Sequence, residues 1–157
     1  MSLSLQALTA LMLACAPDVA PETGLRIVRH ESAGNPYAIG INGPYRLQSQ
    51  PRTREQALAT VEQILKLPQV RSVDLGLAMI NSANLPRLGL RLEEVFEPCT
   101  NLGAMQTLLQ ESYARAAARH GPGQKALQQT LSEYNTGHPD RGLRNGYVRK
   151  VYLQPLR

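Results

Sequence analysis

Residues 27–40 read IVRHESAGNPYAIG, an apolar helical turn that runs into a glutamate and then stops. Leu25, Ile27 and Val28 have the spacing of a helix face turned inward, and Glu31 falls on that same face, four residues after Ile27 and three after Val28. Ser32, Gly34, Asn35 and Pro36 then end the helix, because glycine accepts a left-handed turn and the residue before proline resists the helical region. A carboxyl group in that place is disfavoured as an anion twice over, by desolvation and by the negative end of the helix dipole. Two readings stand side by side: a glutamate kept protonated near neutrality to serve as an acid, or a surface glutamate paired with Arg26, Arg29 or a more distant arginine.

Outward from this turn the chain reads as helices. Leu8, Leu11, Met12 and Cys15 recur at helical spacing, so residues 3–16 are expected to form an amphipathic core helix. A secretory signal would need a basic residue in front, so the chain is expected to be a mature form from which an export signal has been removed. Pro21 starts the second helix, with Glu22 in its first turn. Asn42-Gly43 predicts a tight hairpin within YAIGINGPYRLQ (37–48), and Thr53 with Gln56 predicts a capping box opening a helix that ends before Pro68. The run VDLGLAMINSANLPRLGL (73–90) reads as a buried central segment broken at Pro86. Further helices are expected over about 101–119 and 124–134, and a last turn or helix carries Tyr147, Val148 and Val151.

The 157 residues, 43% of them hydrophobic, suffice for one globular domain over 1–157. With six Tyr, one Phe and no Trp, the core must be aliphatic, which favours packed helices: the expected fold is mainly α (α+β), with a small β-hairpin lobe. The net charge of +5 comes from scattered Lys and Arg, without the basic runs and interleaved aromatics of a nucleic-acid binder. No apolar run is long enough for a membrane span. His30, His120 and His138 show no ligand spacing, and neither GxSxG nor a phosphate loop occurs, so no metal, cofactor or nucleophilic triad is expected. Cys15 and Cys99 suit either a long-range disulfide or two buried thiols. Among the other acids, Asp74 reads as a cap of the buried run and the first suspect for a second carboxylate; Glu93, Glu94 and Glu133 read as solvated. What remains is chemistry that one carboxyl can manage, and glycoside cleavage leads.

Four stretches in order, HESAGNPYAIGING (30–43), VDLGLAMINSANLPRLGL (73–90), EPCTNL (97–102) and EYNTG (133–137), resemble the successive motifs of the lytic transglycosylases that serve type IV secretion and conjugation machines. These belong to the larger soluble lytic transglycosylase group, related in fold to goose-type lysozymes. The resemblance implies a lysozyme-like domain with a substrate cleft, acting on peptidoglycan glycan strands in the periplasm beside secretion-system components. It implies that Glu31 is the acid/base, that Ser32 supports its geometry, and that Asn81 and Ser82 line the cleft. Tyr134 and Asn135 match the pair near the catalytic carboxylate, with the Tyr134 hydroxyl holding Glu31 or substrate. Cys15 and Cys99 are implied to form a disulfide. The product implied is a 1,6-anhydro sugar made without water.

One position departs from the pattern. The family usually reads GLMQIN or GLGQIN, and here Met79 in GLAMIN replaces the glutamine, removing an amide from the cleft. Two alternatives follow. A hydrolytic muramidase would use the same glutamate with water, and a weakly active or non-catalytic peptidoglycan-binding scaffold would explain Met79.

Overall fold

A computed structural model describes all 157 residues. Helix α1 (Leu5–Cys15) starts where the Ser4 hydroxyl accepts a hydrogen bond from the Ala7 N–H at 3.1 Å, and it buries Leu8 and Met12. Helix α2 (Pro21–Ser32) packs on it through Gly24, where a Cβ would stand 2.5 Å from the Met12 Sδ. Cys15 and Cys99 form a disulfide, with Cα atoms 5.1 Å apart, that fastens the end of α1 to the first turn of α6 (Pro98–His120). That long helix begins three residues earlier than its apolar pattern predicts. Glu97 caps it by accepting from the Cys99 and Thr100 N–H groups, and Pro98 occupies the first turn, where its missing N–H does no harm. The chain is mainly helical with one small antiparallel sheet, and its buried aliphatic side chains form one continuous core. No helix is long and apolar enough to cross a membrane.

The sheet departs from the hairpin expected at Asn42-Gly43. Strand β1 (Ile39–Asn42) pairs with β2 (Ser72–Leu75), beyond helix α3 (Arg54–Ile64), in the register Ile39 to Leu75 and Gly40 to Asp74. Pro44 explains why no return strand follows at once, since it has no N–H to give a ladder. The other edge of β1 is closed by one side chain: Gln50 accepts from the Ile39 N–H (2.8 Å) and donates to the Ile39 carbonyl (3.1 Å). The actual hairpin lies inside the buried run, where β2 turns through residues 76–79 into β3 (Ile80–Asn81), pairing Asp74 with Asn81. The run therefore breaks at Gly76 and Met79 rather than at Pro86, which sits in the first turn of α4 (Leu85–Leu88). Asp74 is a strand residue, not a cap.

A buried polar residue holds this turn. Asn101 on α6 is fully buried; its amide donates to the carbonyls of Leu75 (2.9 Å) and Val95 (2.8 Å), and its oxygen accepts from the Ala78 N–H (2.8 Å). Gly76, at φ +80°, lies against that amide so closely that a Cβ would collide with Asn101 Nδ2. Gly76→Ala is expected to lower stability by roughly 3 kcal/mol, from the left-handed backbone and the displaced hydrogen bonds together. Urea unfolding checks this: the midpoint should fall with an unchanged slope.

Helices α5 (Leu92–Val95), α7 (Gln124–Thr136), α8 (Arg141–Arg144) and α9 (Tyr147–Tyr152) complete the chain. Helix α7 packs along α6, and α9 returns against α2. This return brings Tyr147 beside Glu31.

Candidate active site

Glu31 stands on the last turn of α2, half-buried, and its carboxyl Oε1 accepts a hydrogen bond from the Tyr147 hydroxyl at 2.6 Å. No Lys or Arg pairs with it. Arg26 instead reaches Glu22 at 2.6 Å and the Tyr152 carbonyl, so the salt-bridged alternative is not realised. Burial pushes the Glu31 carboxyl up to about 7; the Tyr147 hydrogen bond works against that rise, and the negative charge of Asp74 adds to it. His30 packs edge-on to the Tyr147 ring, centroids 5.1 Å apart, which restrains the ring that delivers the hydroxyl.

The 76–79 turn beside Glu31 is clamped from three sides. Ser32 donates to the Leu77 carbonyl at 2.7 Å, with the Val28 carbonyl at 3.2 Å as its alternative acceptor, and its oxygen accepts from the Gly34 N–H. Tyr134 donates to the Ala78 carbonyl at 2.5 Å. Asn101 supplies the third clamp from α6. The expectation that the Tyr134 hydroxyl holds Glu31 or substrate is thus corrected: that hydroxyl is committed to the backbone, and Tyr147 makes the bond to Glu31. Burial and the charges of Glu31 and Asp74 raise the Tyr134 pKa well above that of a free tyrosine, so it stays a neutral donor.

Next to this cluster lies a cleft of about 560 Å³ whose walls include Asp74, Met79, Asn81, Tyr134 and Asn135. Glu31 is not a wall of that cavity; it is coupled to it through the charge of Asp74 and the proximity of Tyr134. Met79 adopts a left-handed conformation (φ 52°), which costs a side-chain-bearing residue roughly 1–2 kcal/mol. Its Cε lies over Gly40, where a Cβ would stand 2.9 Å away, so the glycine makes room for the methionine. Asn81 donates to Asp74 (2.8 Å) and to the Ser72 hydroxyl (3.0 Å). Asn135 is exposed and accepts from the Asn145 amide at 2.9 Å. Ser82 does not line the cleft: its hydroxyl accepts from the Val73 N–H at 3.1 Å and stitches the hairpin. Glu133, read as solvated, is largely covered and engages Ser112, Arg115 and Arg119.

Tyr147 and Asn101 escaped the sequence reading. Tyr147 lies in an apolar helix pattern that signals only core, and 116 residues separate it from its partner. A polar Asn just ahead of the apolar face of Leu102 and Met105 is the one local sign of the Asn101 clamp.

A family model described as "Transglycosylase SLT domain" matches residues 9–150. The type IV secretion system protein virB1 of Brucella abortus biovar 1 is 38% identical over 144 residues, covering 87% of this chain and 59% of that protein. Protein virB1 of Agrobacterium fabrum is 38% identical over 137 residues, covering 87% and 54% respectively. Protein virB1 of Rhizobium radiobacter is 39% identical over 138 residues, covering 87% and 56%. The chain thus spans little more than half the length of these curated relatives. No solved structure matches it.

Proposed function

The chain belongs to the transglycosylase SLT domain family, and from that premise we propose that it is a peptidoglycan lytic transglycosylase with Glu31 as its single acid/base. One observation carries the proposal: a half-buried carboxyl without a cationic partner, poised at about 7 beside a cleft, holds a proton near neutrality and can release it on demand.

In this reading Glu31 gives its proton to the oxygen linking N-acetylmuramic acid to N-acetylglucosamine, and the bond from that oxygen to the anomeric carbon breaks. The carbonyl oxygen of the muramoyl acetamido group bonds to the anomeric carbon, giving a cationic oxazolinium ring. Glu31, now ionised, takes the proton of the muramoyl 6-hydroxyl as that oxygen closes on the anomeric carbon, and the acetamido oxygen departs. Every proton is moved by Glu31, so the group must cross its own pKa once in each direction per turnover; a value near the working pH makes both transfers cheap.

The name of the Brucella relative places that protein in type IV secretion, and we extend that role to this chain: local opening of the wall for assembly of a secretion or conjugation apparatus. The Cys15–Cys99 disulfide suits an oxidising compartment such as the periplasm. The net charge of +5 suits a polymer whose peptide stems carry carboxylates.

Purified sacculi incubated with wild type should release soluble muropeptides, resolved by reverse-phase chromatography. Release by wild type that Glu31→Gln loses supports the proposal, and equal release by both contradicts it. A subtler variant tests the geometry. Tyr147→Phe removes the hydroxyl that favours the Glu31 anion, so the alkaline limb of the pH–rate profile should move to higher pH. Its rate should fall roughly tenfold with KM unchanged, the effect of one charge-assisted hydrogen bond. A Tyr147→Phe profile that overlays wild type would mean the hydrogen bond has no part in the reaction.

A further inference from the structure

The excess charge of the chain is concentrated at one end. Of the 17 Lys and Arg, five lie in residues 141–157, a stretch that holds none of the 12 Asp and Glu. The other cations and the acids balance, so residues 1–140 are formally neutral and the whole +5 sits on α8, α9 and the tail that follows. Arg141, Arg144, Arg149, Lys150 and Arg157 are all exposed, and none forms an ion pair. Of the acids beside this surface, Asp140 accepts from the Gln129 amide at 3.4 Å, Glu22 pairs with Arg26 at 2.6 Å, and Glu31 is the proton-holding carboxyl of the site. The cleft, by contrast, is balanced: its walls carry Arg71, Arg87 and Arg115 against Asp74, Glu111 and Glu133. The basic surface is fastened to the rim of that cleft. Gly142 lets α8 press onto α7, where a Cβ would stand 2.5 Å from the Ser132 Cα, and its N–H donates to the Ser132 hydroxyl at 2.7 Å. The Asn145 amide at the end of α8 donates to Asn135, a cleft wall residue, at 2.9 Å. On α9, Tyr147 reaches Glu31, and Lys150 lies close enough to His30 for its charge to add to the burial that lowers the imidazole pKa.

We propose that the exposed cations of α8 and α9 form a docking ledge for the carboxylates of peptide stems, so that the protein selects glycan strands that still carry acidic stems. The inference rests on the reading above that peptidoglycan is the substrate, and it adds which part of that polymer is recognised, and where. The division of charge in the protein matches the division of charge in the polymer. The glycan backbone is uncharged once each muramoyl lactyl group is joined to its stem, and it meets a cleft whose charges balance. The stems branch from that backbone and carry the carboxylates, and the unpaired cations stand outside the cleft, at its rim. A stem of about four residues extends to roughly 13 Å, enough to leave a sugar in the cleft and lie on a neighbouring helix. Exposed Lys and Arg on short helices held by α7 and α2 keep their charge free for a partner, which gives attraction and orientation with little desolvation cost.

The test measures binding to intact sacculi by sedimentation, in the Glu31→Gln background so that the polymer survives. Adding Arg144→Gln, Arg149→Gln and Lys150→Gln should weaken binding about tenfold, the combined size of three exposed charge contacts. Sacculi whose carboxylates have been converted to amides with carbodiimide and ammonia should bind Glu31→Gln about tenfold more weakly than untreated sacculi, and should bind the ledge variant no more weakly still. Removing the same charge elsewhere, by Arg46→Gln, Arg52→Gln and Lys66→Gln, should leave binding within about twofold. A ledge variant that binds untreated sacculi like its parent overturns the inference, as does an equal loss in the control variant, which would mean that net charge alone attracts the polymer. Amidated sacculi also decide the matter without any ledge variant: if Glu31→Gln binds them as tightly as untreated sacculi, stem carboxylates are not recognised. Phosphatidylglycerol vesicles separate the other acidic surface of the envelope. A ledge variant that loses the vesicles and keeps the sacculi would assign these cations to a membrane and overturn the inference. Failure of the underlying reading has another signature: Glu31→Gln would release muropeptides as well as wild type.

Discussion

Glu31→Gln is expected to slow release of muropeptides by about 10³-fold or more, since in the proposed mechanism one side chain serves as acid and then as base and the amide can do neither. The substitution should leave the surroundings intact, because Gln is isosteric and its Oε1 can still accept from the Tyr147 hydroxyl. The same variant carries a stability signature of definite sign. The folded protein holds Glu31 at about 7, against an ordinary value of 4.5, so between those limits the folded state binds more protons than the unfolded chain. Wild-type stability therefore falls as pH rises through that window, and the whole penalty is present above about 7. At about pH 8 the glutamine variant should be the more stable by roughly 3 kcal/mol, with the difference closing below about pH 4.5. Urea unfolding of both proteins at the two pH values measures it. A variant less stable than wild type at both would mean that the Glu31 anion is welcomed by its surroundings, and the acid reading would lose its physical basis.

Removing the disulfide should have the largest effect on stability. Cys15 and Cys99 are separated by 84 residues, and in the chain-entropy view closing so long a loop in the unfolded state is worth about 4.5 kcal/mol. Cys15→Ser with Cys99→Ser is expected to lose about that much, comparable to a large part of the stability of an ordinary domain. The consequence reaches the site, because Asn101 follows Cys99 by two residues and holds the turn that carries Met79. Under reducing conditions wild type should unfold at the urea midpoint of the double variant. Coincident midpoints for the oxidised wild type and the variant would mean the cross-link adds nothing.

Local signals carried the helices. The Thr53 cap, Pro21 in a first turn and the inward face of Leu25, Ile27 and Val28 are statements about neighbours in sequence, and the structure repeats them. The sheet was hidden for a physical reason. β2 lies in a continuous apolar run, which periodicity cannot separate from a buried helix, and its partner β1 is some thirty residues away. Asn42-Gly43 is a true turn signal, but Pro44 denies the return strand a donor, and long-range pairing with residues 72–75 wins. At the site, Glu31 was legible because burial and helix position can both be read from spacing. Tyr147 was not, since nothing near it in sequence says that α9 will return against α2. The four ordered motifs pointed to Tyr134 as the residue holding the carboxylate. Only its geometry assigns its hydroxyl to the Ala78 carbonyl.

Mass spectrometry of the muropeptides that wild type releases from intact peptidoglycan is the most direct test. Acid and base roles for Glu31, with closure by the 6-hydroxyl, require products ending in 1,6-anhydro-N-acetylmuramic acid, lighter by one water than the products of a lysozyme. Products carrying that water would show that Glu31 delivers water to the anomeric carbon instead. No products at all would leave a peptidoglycan-binding scaffold and contradict the catalytic reading.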